Sequence, residues 1–143
     1  MDTNNCLASF QFIGNSIKNL QIQNDFVFLS EQDWNDSTTE IDVKYSIEDI
    51  DTEDDKMIGV INLHLSLNVT HEDRKLNVDF IIQGGFSSES QSEEEFKEQL
   101  AVNGCTALYS ISRSVLAATL SQCFSGCHIM LPMINVFELT ESK

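Results

Sequence analysis

The chain has 143 residues, 23 of them acidic and 8 basic, for a formal net charge of −15. Such a charge repels phosphate backbones and anionic lipid, so nucleic acid and membrane surfaces are poor partners, and no apolar run is long enough to span a bilayer. The polar start, Met1-Asp2-Thr3-Asn4-Asn5, lacks the basic-then-apolar pattern of a signal peptide. The expectation is one domain over residues 1–143, kept in the cytosol, with Cys6, Cys105, Cys123 and Cys127 as free thiols. In that compartment the sequons at Asn35 and Asn68 carry no weight.

Residues 10–23 have β character, with Phe10, Phe12, Ile17, Leu20 and Ile22 as apolar positions and Gly14-Asn15 predicting a bulge or kink. The run Phe26-Val27-Phe28-Leu29 follows, then a polar loop with the single tryptophan, Trp34. Ile41, Val43, Tyr45 and Ile47 alternate with polar residues as a half-buried strand does. The acidic residues 48–56 are expected to form a solvated connection. Ile61, Leu63, Leu65, Leu67 and Val69 define a second alternating strand. After a turn at residues 71–74, Leu76, Val78, Phe80 and Ile82 define a third, ending at Gln83-Gly84-Gly85. Three such strands with short polar connections read as an antiparallel meander, with residues 10–23 supplying a fourth strand.

The period then changes. Ser92 and Glu95 have capping-box spacing ahead of Phe96 and Leu100, and Asn103-Gly104 predicts a helix stop or kink. A longer helix is expected over residues 105–124, ended by Gly126, with Leu108, Ile111, Val115, Leu116, Leu120 and Cys123 on a broad apolar face. The tail, residues 129–139, is apolar. The fold class is therefore α+β: a four-stranded antiparallel sheet with a long helix and a shorter preceding one on one face. The width of the apolar helix face exceeds what one sheet needs, which predicts self-association through Leu108, Ile111, Val115, Leu116 and Leu120.

No catalytic constellation is visible. His64 falls on the polar side of a strand and His71 in a turn, so both read as surface residues. Cys123 and Cys127, with His128 adjacent, lack thioredoxin spacing and supply too few ligands for a structural zinc site. The acidic run 49–55 lacks the glycine and terminal glutamate of a calcium loop. No Gly-Lys-Ser/Thr follows Gln83-Gly84-Gly85-Phe86, so it is not a phosphate loop. No metal, cofactor or enzymatic activity is expected.

Three motifs, in order, carry a resemblance. Gln83-Gly84-Gly85-Phe86, Leu108-Tyr109-Ser110-Ile111-Ser112-Arg113 and Leu131-Pro132-Met133-Ile134-Asn135-Val136 are similar to the Gln-Gly-Gly-(x)-Phe strand end, the Leu-Phe-Pro-Tyr-x-Arg helix opening and the Leu-x-Pro-Val/Ile-Asn-Phe segment of SecB-type export chaperones and their SecB-like relatives. The departures are Ser110-Ile111 for Pro-Tyr, and Met133 and Val136 for Pro and Phe. The terminal helix and acidic tail of export chaperones are expected to be absent. The resemblance implies an ATP-independent holding chaperone for unfolded or nascent polypeptides, in export or beside a toxin–antitoxin module, assembled as a homotetramer. The alternative is a non-enzymatic adaptor for one protein partner. Export chaperones carry acidic residues that dock the SecA motor where this chain has Asn19 and Gln23, and losing two carboxylates weakens a charge-selected interface. A holding chaperone needs adaptable apolar surface outside the covered face of its sheet. The candidates are Phe26, Phe28, Trp34, Phe86, Met130, Leu131, Met133 and Phe137.

Overall fold

The computed structural model describes residues 9–89 and 92–141. The polar start and Cys6 lie outside the described residues. Strand β1 (Gln11–Asn24) is followed by a short strand β2 (Phe28–Leu29) and helix α1 (Glu31–Asp36). Three long strands come next, β3 (Thr38–Glu53), β4 (Lys56–His71) and β5 (Arg74–Glu89). Helix α2 (Glu93–Gln99), a π turn (Leu100–Gly104) and helix α3 (Cys105–Leu120) run on without a break, before strand β6 (Ser125–Gly126) and helix α4 (Val136–Glu141).

β3, β4 and β5 form the meander, and β1 pairs antiparallel with β5, giving the order β1-β5-β4-β3. That is a Greek-key arrangement, in which one strand reaches its place beside the meander by a long connection. The three meander strands are longer than the hydrophobic alternation indicates. β3 runs through the acidic residues to Glu53, and the connection shrinks to Asp54-Asp55 at φ 48° and 64°. Two successive left-handed residues make the tight hairpin whose twist matches the strands, and aspartate tolerates that conformation.

β5 likewise continues past Gly84-Gly85 to Glu89, so the glycines lie within the strand and not at its exit. Gly84 faces the helix, and a Cβ there would sit 2.7 Å from Leu108 Cδ2. The missing side chain lets α3 settle directly onto the sheet.

β1 has irregular spacing, and its two register shifts repair it. They fall between Phe12 and Gly14, next to the expected Gly-Asn site, and between Ile17 and Asn19, three residues beyond it. Phe12, Ile17, Leu20 and Ile22 thereby pair with Phe86, Ile82, Phe80 and Val78, all on the helix side of the sheet. Without the extra residues the set would split between two faces.

The core lies between the sheet and the helix: Ile61, Leu63, Leu65, Leu67, Leu76, Phe80 and Ile82 against Phe96, Leu100, Leu108, Leu116 and Leu120. Ser92 caps α2 by accepting from Glu95 N at 3.2 Å, as the capping box predicts. Asn103-Gly104 does not stop the helix; it falls in the π turn, where Gly104 packs close to Ile61. α3 ends at Leu120, short of Phe124. Among the described residues no helix is long and apolar enough to cross a membrane.

Candidate peptide-binding surface

The crossover from β1 to β3 is fastened at both ends. The Asn24 side chain donates to the carbonyls of Phe26 (2.8 Å) and Cys123 (3.0 Å) and accepts from Phe26 N. Lys75 N donates to the Asp25 carboxylate, Asp25 N donates back to Lys75 O, and the Arg74 guanidinium lies 5.0 Å from the centre of the Phe26 ring. Ser30 caps α1 by accepting from Asp33 N. The loop expected around Trp34 is thus partly helical. His71 Nε2 lies 3.4 Å from Asp33 Oδ1 with its side chain mostly covered, so His71 is an internal tether and not a surface residue.

These contacts decide which candidate residues can meet a partner. Phe28, Met130, Met133 and Phe137 are exposed, Met133 at 84%. Trp34 is half-buried against the core. Phe26, Phe86 and Leu131 are only 2%, 1% and 3% exposed, so they leave the set of surface residues. Phe86 lies under the helix and stacks against Phe10. The expected interface on α3 changes too. Leu108, Leu116 and Leu120 are consumed by the chain's own sheet, and only Ile111 and Val115 retain exposed surface. The helix comes so close, over glycines the sequence pattern cannot place, that the sheet takes up most of its apolar width.

Residues not singled out from the sequence complete the surface. α3 lies over β4 and β5, and β1 extends beyond it at the margin. Phe12, Ile17 and Leu20 are therefore open to solvent on an edge strand with no further strand beside it among the described residues. Their apolar character is legible, but their exposure depends on where the helix sits. An edge of this kind offers backbone donors and acceptors together with apolar side chains.

The opposite face of the sheet is polar. Asn19 donates from Nδ2 to Asp79 Oδ2 (2.8 Å), and Asp79 Oδ1 lies 2.5 Å from His64 Nε2. Gln23 lines a depression of about 580 Å³ with Gln21, Ser66, Asn68, Asn77 and Asp79. Asn19 and Gln23 thus share one face, where amides are spread over much of the surface.

The three thiols among the described residues are sheltered. Burial pushes the Cys127 thiol above its ordinary pKa, its own backbone hydrogen bond opposes this, and the Glu31 and Asp33 carboxylates add to the rise. A thiol so placed is protonated at neutral pH and is a poor nucleophile. Cys105 is buried and Cys123 half-buried. Among the described residues no three His, Cys, Asp or Glu side chains are grouped to hold a metal ion.

No protein-family model matches the sequence, and no curated protein does. Solved structures do match. One is a SecB-like chaperone of Mycobacterium tuberculosis in complex with a ChAD peptide from the HigA1 antitoxin, with TM-score 0.62, 15% identity, and 89% of this chain and 91% of that one covered. The fold is SecB-like. A protein of unknown function from Streptococcus agalactiae shares the architecture, with TM-score 0.53, 12% identity, and 87% and 97% of the chains covered. The SecB-like fold accounts for the helix lying on one face of the sheet. A short helix, α4 (Val136–Glu141), follows the long one.

Proposed function

We propose that residues 1–143 form one SecB-like domain that holds unfolded or nascent polypeptides without ATP and catalyses no reaction. The observation that carries the reading is the apolar surface left uncovered on this fold away from the β1 edge: Phe28, Met130, Met133 and Phe137. The structural neighbour holding an antitoxin peptide supports a polypeptide ligand. Flexible Met side chains suit varied clients. In the cytosol, the strong negative charge keeps a loaded complex soluble.

The assembly is a homotetramer, a dimer of dimers. The β1 edge, with Ile111 and Val115, supplies its contacts in place of the wider helix face. Antiparallel pairing of β1 with a second β1 is two-fold symmetric and would continue the sheet across both copies. Several weak client sites on one particle then add avidity.

Suppression of aggregation of several unrelated denatured proteins, without nucleotide and at substoichiometric amounts of tetramer, tests the reading. Protection of none of them, with tight binding of a single protein such as an antitoxin, would establish the dedicated adaptor instead. SecA, the export motor, is expected to bind weakly at physiological ionic strength. Asn19→Asp with Gln23→Glu should strengthen that binding, more so at low salt. Calorimetry with purified SecA reads both.

A further inference from the structure

Residues 127–135, after β6, have no regular secondary structure, yet they are held against α3. Two side chains one turn apart on that helix hold them. Arg113 Nε donates to the carbonyl of Leu131 at 2.9 Å, and the Tyr109 hydroxyl donates to the carbonyl of Pro132 at 2.5 Å. Both bonds are to main chain, so they would hold any sequence placed there. Arg113 forms no ion pair among the described residues and is committed to this contact.

The segment itself behaves as a bound peptide does. Ile129 and Leu131 are buried while Met130 between them is exposed, the two-residue alternation of an extended chain laid on a surface. Pro132 brings no N–H that would need a partner. Beyond it, Ile134 and Val136 are half-buried, and a cavity of about 70 Å³ remains between them and Thr106, Tyr109 and Arg113. The space is open to solvent, and a better-fitting chain would cover it.

We propose that the face of α3 carrying Tyr109 and Arg113 is a peptide-binding groove, occupied in the resting chain by its own segment 129–136, and that an extended apolar stretch of a client takes the groove by displacing that segment. The proposal rests on the holding function above and adds to it a site and a built-in competitor. Binding then carries a threshold. Weakly apolar chains do not dislodge the segment, whereas strongly apolar ones gain both main-chain bonds and the pockets of Leu131 and Ile134. The apparent affinity is the intrinsic one multiplied by the fraction of molecules with the groove open.

The test uses the full-length protein and a fluorescent synthetic peptide copying residues 129–137. The intact chain should bind it weakly. Leu131→Ala, which loosens the internal segment but leaves the groove whole, should bind more tightly, by about tenfold if the groove is closed nine-tenths of the time and the substitution opens it fully. Adding Tyr109→Phe and Arg113→Gln to that variant should remove the gain. If Leu131→Ala does not fold, Ile134→Ala, half-buried in the same contact, replaces it. Equal binding by the intact and loosened chains, or a gain that survives loss of Tyr109 and Arg113, would overturn the groove. Aggregation assays on the same proteins separate the two ideas. Suppression without the peptide pattern removes the groove alone, and absence of suppression in intact and loosened chains removes the holding function.

Discussion

The two edges of the sheet are built from opposite materials. β3 carries Glu40, Asp42, Glu48, Asp49, Asp51 and Glu53 against a single base, Lys44, whereas β1 carries one charged residue, Lys18, and leaves Phe12, Ile17 and Leu20 open. Both strands are bulged, β1 twice and β3 once between Ile47 and Asp49. Bulging is therefore not what separates them. A row of carboxylates makes edge-to-edge pairing costly, and an apolar edge invites it. The chain closes one side of its sheet with charge and keeps the other available, which gives any association a direction.

The largest expected effect lies between the edges, where both depend on the same support. Gly84→Val should destabilise the chain by about 1–3 kcal/mol or more, because its Cβ enters the Leu108 side chain and lifts α3 off β4 and β5. Urea unfolding measures this, and an unchanged midpoint would show that the helix does not depend on that close approach. Next is the open edge. Ile17→Lys with Leu20→Lys should shift the particle to a lower mass in light scattering and reduce aggregation suppression severalfold, while the chain's own unfolding moves little, since both side chains are already exposed. A particle of unchanged mass would remove β1 from the assembly.

Reversing the closed edge should have a smaller effect. Asp42→Thr with Asp49→Thr and Asp51→Thr takes three charges from β3 and should produce slow, concentration-dependent association that added salt hardly alters. If association stays unchanged, charge is not what closes this edge.

The smallest effect concerns pH. Burial raises the pKa of Tyr45, on the inner side of β3, with a further rise from nearby Cys105. Burial also raises that of Tyr109, opposed by Arg113. Neutral phenol is favoured in the folded chain, so this stability is complete below pH 10, the ordinary tyrosine value, and is lost as pH rises through the folded pKa values. Ultraviolet titration should show both tyrosines ionising later in the native than in the unfolded chain. Ionisation at the unfolded value would show that neither hydroxyl is sheltered.

Much of this architecture was legible. The alternation at Ile41–Ile47, Ile61–Val69 and Leu76–Ile82 located the meander, and Ser92 with Glu95 located the start of the helix. The reading failed where side chains stop reporting on burial. Gly59 and Gly84 carry no side chain, so the alternation stops at Gly84 although β5 continues, and the contact of the helix leaves no mark in the sequence. The acidic half of β3 has too few apolar residues to show a period. The binding surface was less legible than the fold, because Phe26, Phe86 and Leu131 have the same composition whether they face solvent or core. In the sequence Tyr109 and Arg113 stand out only as members of a motif, and their bonds to Pro132 and Leu131 join parts of the chain that spacing cannot relate.

The pairing of β1 with β5 also bears on how the protein comes into being. Asn24 pairs with Leu76 and Gln11 with Ser87, so the earliest strand of the sheet has no partner until the last strand of the sheet is made. At roughly 5–20 residues per second, β1 waits several seconds with Phe12, Ile17 and Leu20 unpaired, while β3 and β4 can already close their short hairpin. During synthesis this chain is itself the kind of polypeptide that a holding protein would take up.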